Sequence, residues 1–226
     1  MKMLALEFSS IQRSVAVVVA GADGRLLATS EVVVTATGQT MKPFAMIQEA
    51  LRLAGMAREQ IEVIAVGLGP GSYTGIRAAI ALAQGWQLAT DAKLVGVSSA
   101  ECVAAQAQAE GITGKFSVVI DAQRQEFYLA EYEIVAGGRR QLWPLRLATL
   151  AAVREREAAG ERLVGPEVTR WFPKGQVLFP RAAQLGESAA KRSDFVAGEK
   201  LEPIYLRETT FVKAPPLRII PPMSNP

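Results

Sequence analysis

The spacing of apolar positions changes several times along the chain, and each change marks an element. Three β-rich runs, MLALEF, SVAVVVAG and RLLATSEVVVTA, are separated by the polar turns SSIQR and GADG, and predict three strands within residues 3–36. Residues 41–54 switch to helical spacing. Phe44, Ile47 and Leu51 fall on one face, Pro43 sits in the first turn, and Gly55 supplies the stop. IEVIAVGLG is a short, unbroken apolar run of the kind that a parallel strand buries on both faces. A glycine-rich loop follows, and then an alanine-rich helix over about residues 74–89. The first third therefore reads strand, strand, strand, helix, strand, helix.

A second hairpin pattern begins near residue 116. FSVVIDAQRQEFYLAEYEIV lays out strand, tight polar turn and strand, as LALEFSSIQRSVAVVV does. An acidic residue closes the first strand of each, Glu7 and Asp121, and both turns carry Gln-Arg, at 12–13 and 123–124. The parallel points to an internal duplication. With EGITGK as the joint, it predicts two lobes, residues 1–112 and 113–213, and then a proline-rich tail over 214–226. Further on, AAVREREAAGE reads as an exposed helix, RLVGPEV as a strand and turn, and RAAQLGESAAKR as an amphipathic helix. APPLRIIPPMSNP has five prolines in 13 residues, which excludes regular structure and predicts an extended arm or a disordered tail.

Composition narrows the chemistry. Half of the 226 residues are hydrophobic, 21% are charged and the net charge is +3, so charge tolerates an RNA partner without predicting one. No signal-peptide pattern or membrane-length apolar run appears, and a cytoplasmic location is expected. The single cysteine, Cys102, excludes an internal disulfide and lies in an apolar helical pattern. The chain has no histidine. That removes Ser-His-Asp and Cys-His catalysis, histidine metal ligation and the commonest general base.

The glycine loop joins a strand to a helix, an arrangement that presents free backbone N–H groups to an anion. It is not a P-loop, because no lysine follows the glycines, and Gly69, Gly71 and Gly75 do not match GxGxxG. Its other use is local: Gly69 and Gly71 permit unusual backbone angles, Pro70 stiffens the turn, and Ser72 or Thr74 caps the helix.

GPGSYTGIR, nine consecutive residues at 69–77, closely resembles the signature of the TsaB (YeaZ) family, the bacterial partner proteins in making threonylcarbamoyladenosine on tRNA. VSSAE at 97–101, DAQRQEFY at 121–128 and EPIYLRE at 202–208 extend the resemblance over most of the chain. It implies an α/β protein of the two-lobed ASKHA (actin/Hsp70-like) fold, each lobe built on a ribonuclease-H-like mixed sheet with flanking helices. It implies a noncatalytic subunit, without cofactor or metal, that dimerises with a TsaD-like enzyme and supports threonylcarbamoyl transfer to the adenosine next to the anticodon. The resemblance also implies a TsaE-like ATPase in the larger complex and indirect engagement of tRNA, and an exposed apolar helix pair would let the chain pair with itself when alone. The partner surface would come from the two N-terminal-lobe helices, through Phe44, Ile47, Leu51, Tyr73, Thr74, Ile76, Arg77, Ile80 and Ala83.

The chain departs from the family in two places. The first strand usually ends in an Asp-Thr-Ser-like trio, here Glu7-Phe8-Ser9, and a His-Ser-Glu-like helix start is here Gly38-Gln39-Thr40. Phe8 would put an apolar ring where a phosphate-facing hydroxyl otherwise sits. Glu7 and Asp121 then have two readings: relic acids of a nucleotide cleft, or a working pair that holds Mg²⁺ and nucleotide in an ATP-dependent phosphotransferase of the same fold. Arg77 serves either a partner carboxylate or phosphate, or an internal brace. Tyr73 is either a contact aromatic or a core plug. Peptidase chemistry lacks a candidate base.

Overall fold

The computed structural model describes residues 1–35 and 42–207. Gly38-Gln39-Thr40 and the proline-rich tail lie outside the described residues. The first strand, β1 (Lys2–Glu7), pairs antiparallel with β2 (Gln12–Ala20), which pairs antiparallel with β3 (Leu26–Thr35). On its other side β1 pairs parallel with β4 (Val63–Gly67), and β4 with β5 (Lys93–Val97). The resulting order is β3-β2-β1-β4-β5.

The second sheet repeats this plan. β6 (Gly114–Asp121) pairs antiparallel with β7 (Glu126–Val135), and β7 with β8 (Gly138–Thr149). On its other edge β6 runs parallel to β9 (Leu163–Gly165), and β9 to β10 (Gln176–Val177). Read from β8, the order and the strand senses match those of the first sheet. The duplicated hairpins are therefore the same part of two like sheets, as expected for the two-lobed fold.

Period-two alternation sorts each strand between two cores. Leu4, Leu6, Val15 and Val17 face α1 (Pro43–Leu53) and α2 (Tyr73–Ala89). Met3, Ala5, Ala16 and Val18 face α5 (Ala182–Ala190). In the second sheet Phe116, Val118, Ala130 and Tyr132 pack on α3 (Ser99–Ala109), while Val119, Phe127 and Leu129 pack toward Val153 of α4 (Leu150–Ala158) and Phe172. Helices α3 and α5 touch one another between the sheets. Each sheet is thus covered on both faces, and the first is covered on one of them by a helix from the far end of the chain.

Local signals end the helices as the sequence suggests. Gly55 has φ +60°, its N–H reaches Arg52 O at 3.1 Å, and Met56 N reaches Leu51 O at 3.0 Å, which is a Schellman stop for α1. Ser72 caps α2 by accepting from Gly75 N at 3.3 Å. Among the described residues no helix is long and apolar enough to cross a membrane.

Candidate functional site

The glycine loop is held against the end of β1 by contacts that leave no room for side chains. Ser72 N donates to Ser9 O at 2.6 Å. A Cβ at Gly71 would overlap Ser9 O, and one at Gly75 would overlap Phe8 O. Ser99, the first residue of α3, locks the other side. Its N–H donates to Gly69 O at 2.7 Å, its hydroxyl accepts from Gly69 N at 3.1 Å, and that hydroxyl donates to Glu7 Oε2 at 2.9 Å. The VSSAE stretch therefore fastens the GPGSYTG loop to the first strand.

The structure does not bring Glu7 and Asp121 together. Alternation puts Glu7 on the face of Met3 and Ala5, so its carboxylate points inward, where it is fully buried against Gly67. Ser9 N donates to it at 2.8 Å, yet burial dominates and pushes its pKa up. Phe8, on the opposite parity, is also fully buried, in the core with α1 and α2, so its ring does not occupy the phosphate-facing place expected of it. Asp121 does reach the interlobe cleft, where it accepts from Gln123 N at 2.7 Å and Trp171 Nε1 at 3.3 Å.

The cleft encloses about 940 Å³ between the two hairpin turns, the start of α2 and the C-terminal segment. Its walls carry Ser9, Ser10 and Arg13 on one side, and Asp121, Gln123 and Arg124 on the other, with Tyr73, Arg77, Tyr205 and Arg207 at the mouth. The far wall has an unusual backbone. Gln123, Arg124 and Gln125 have φ of 65°, 59° and 60°, three successive left-handed residues without a glycine. Such a run costs about 1–2 kcal/mol per residue and needs support from outside the turn. Arg207 Nη2 supplies it, donating to Ala122 O at 3.0 Å, Gln123 O at 3.2 Å and Glu126 Oε2 at 2.5 Å. At the mouth the Arg77 guanidinium lies 3.5 Å from the Tyr73 ring centre and donates to the Tyr205 hydroxyl. Arg77 is thus a brace to an aromatic residue of the C-terminal segment.

The helix residues expected to meet a partner divide in two. Ile47, Ile76, Ile80 and Ala83 are buried in the chain's own core against the first sheet, and that corrects their assignment to a surface. Helical spacing identifies an apolar face, and here the sheet covers it. Leu51 is half-buried, whereas Phe44 and Tyr73 are 73% and 63% exposed, with Thr74 and Arg77 exposed beside them. The outward stripe of α2 runs through Thr74, Ala78, Ala81, Gly85 and Leu88, small residues ending in a leucine that is 90% exposed. The sequence reading missed Ala81, Gly85 and Leu88; the signal was their spacing of about one turn on the side away from Ile76 and Ile80. Among the described residues no group of three or more carboxylate and thiol side chains is placed to hold a metal. Burial also holds the Cys102 thiol well above its usual pKa.

Residues 41–206 match the family model described as TsaD: tRNA N6-adenosine threonylcarbamoyltransferase. The chain is similar to the tRNA threonylcarbamoyladenosine biosynthesis protein TsaB of Escherichia coli K12, 29% identical over 197 residues, covering 78% of this chain and 84% of that one. The Haemophilus influenzae TsaB is 28% identical over 200 residues, covering 78% and 83%. Among solved structures, a Pseudomonas aeruginosa protein with similarity to the peptidase YeaZ superposes with a TM-score of 0.75 at 27% identity, over 91% of this chain and 99% of that one. YeaZ of the same organism gives 0.72 at 24% identity, with the same coverage, and bears on the fold alone.

Proposed function

We propose, for a chain that belongs to the TsaD family and stands with its TsaB (YeaZ) members, a noncatalytic role in tRNA threonylcarbamoyladenosine synthesis, as the partner of a TsaD-like enzyme. The observation that carries the reading is the outer face of the α1–α2 layer. It exposes Phe44 on α1 and, on α2, Leu88 with the small residues Ala81 and Gly85, where another helix layer can approach closely. The noncatalytic part of the reading rests on the inward turn of Glu7. A Glu7–Asp121 pair for Mg²⁺ and nucleotide needs both of those carboxylates on the cleft; Asp121 lines it, with Glu167, but Glu7 does not. The chain also lacks histidine.

In this reading Phe44, Tyr73, Thr74 and Arg77 remain contact residues, joined by Ala81, Gly85 and Leu88. The glycine loop sets the direction of α2, and Glu7 and Ser99 hold the loop. The role is architectural: α1 and α2 pack on like helices of the enzyme and hold it in its working state. A TsaE-like ATPase, indirect contact with tRNA, self-pairing in the enzyme's absence and a cytoplasmic location belong to the same proposal. Calorimetry of the purified chain with the TsaD-like protein of the same organism tests it. The wild type is expected to bind, and Gly85→Arg, which leaves the core untouched, is expected to abolish binding without lowering the melting temperature. Two folded proteins that fail to bind at tens of micromolar overturn it.

A further inference from the structure

The C-terminal segment touches both ends of α2 and then crosses the cleft. Val196 bridges to Leu94 of β5. At the C-terminal half of α2, Gly198 N donates to Gln87 Oε1 and Gln84 Nε2 donates to Gly198 O, both at 2.8 Å. Leu201 enters the core beneath the helix. Ile204 N then donates to Leu68 O at 2.9 Å, just before the glycine loop. Tyr205 stacks on Tyr73 with ring centres 6.2 Å apart and accepts from Arg77, both in the first two turns of α2. Two residues later Arg207 is on the opposite lobe, bonded to the carbonyls of Ala122 and Gln123 and to Glu126.

We propose that Leu201–Arg207 is a strap that couples the far wall of the cleft to the first turns of α2. One end supports the left-handed turn 123–125, which has no glycine to make that conformation cheap. The other end holds Tyr73 and Arg77. Only Leu206 separates Tyr205 from Arg207, so the strap cannot release one end and keep the other in register. Movement of the β6–β7 hairpin that displaces Arg207 frees Tyr205, and with it the start of the helix. The coupling is reciprocal: whatever seats on α2 and fixes Tyr73 also tightens the turn across the cleft. The link to assembly rests on α2 being the partner-facing helix, as proposed above; the link between turn and helix does not.

Hydrogen–deuterium exchange on the purified chain separates the two. Arg207→Ala is expected to speed exchange about ten-fold in residues 121–127 and also at the amides of Gly75, Ile76 and Arg77, which Arg207 does not touch. Tyr205→Ala is expected to do the converse, loosening the turn from the helix side. Residues 155–158 of α4, beyond Leu150 whose N–H bonds the turn at Gln125 O, serve as the reference and stay unchanged in both. Loosening confined to each variant's own contacts, or spread evenly to that reference, overturns the strap. Calorimetry with the TsaD-like protein then reads the link to assembly, with both variants binding more weakly than wild type. A wild type that does not bind removes the partner reading and leaves the exchange result to decide the strap.

Discussion

Ser99 Oγ lies 2.9 Å from Glu7 Oε2 and donates to it, fastening the first residue of α3 to the last residue of β1. Because the same hydroxyl accepts from Gly69 N, Ser99→Ala removes a donor from a fully buried carboxyl and an acceptor from a buried amide. The expected loss is about 1–3 kcal/mol, read as a lower urea midpoint at unchanged m-value.

The same carboxyl makes stability depend on pH. Burial raises the Glu7 pKa above its ordinary 4.5, so the native state holds that proton more tightly than the unfolded chain does. The contribution of Glu7 is fully present below 4.5 and is lost as pH climbs through the raised native value. Glu7→Gln does not titrate. Its stability relative to wild type is expected to rise across that window and to be flat below it. Urea midpoints for both proteins from pH 4 to 8 measure this; a gap independent of pH shows that the native carboxyl titrates as it does unfolded.

Exposed and inward-facing positions of α2 respond in opposite ways. Ile80→Arg places a charge in the core under the helix and is expected to cost more than about 3 kcal/mol. Gly85 is exposed in mid-helix, and a Cβ there meets nothing within 4 Å. Gly85→Ala is therefore expected to stabilise the free chain by roughly 0.5–1 kcal/mol, checked by thermal melting.

Arg124 holds φ 59° in an exposed turn, the conformation glycine adopts freely. Arg124→Gly is expected to relieve about 1 kcal/mol and raise the melting temperature by roughly 2–4 °C. An unchanged or lower melting temperature shows that the Arg124 side chain contributes more than the strain it imposes.

Cys102 is buried, with a thiol pKa well above the usual value, so the native protein is expected to resist thiol reagents at neutral pH. Labelling with a chromogenic disulfide should follow global unfolding, rising with urea along the same curve as the loss of fluorescence. Rapid labelling of folded protein contradicts this burial.

Much of this fold is legible in the sequence where pattern and burial coincide. Both hairpins, the Schellman stop at Gly55 and the Ser72 cap follow from local residue chemistry, and α4, with only Val153 buried, reads as the exposed helix it is. Strand β8 escapes such a reading. It is an edge strand, half-exposed on both sides, with Pro144 inside it and an irregular register against β7 near Glu131. The site is less legible than the fold. Spacing groups Ile76, Ile80 and Ala83 on one face but cannot say whether a sheet or a partner covers it. A carboxylate at a strand end looks the same from the sequence whether it opens on a cleft, as Asp121 does, or turns inward, as Glu7 does. In each case the missing information is long-range packing.

The covering of the first sheet by α5 has a consequence for synthesis on the ribosome. All five strands of that sheet are made by Val97, but Leu185 and Ala189, which seal Ala16 and Val18, come much later. Ser14 Oγ waits as long for Ala182 N, which it meets at 2.7 Å. At roughly 5–20 residues per second the nascent chain carries an open apolar face for several seconds while the whole second sheet is made. Until that helix emerges the N-terminal lobe presents the kind of apolar surface that holding chaperones bind, and a chain cut before residue 182 keeps that face bare.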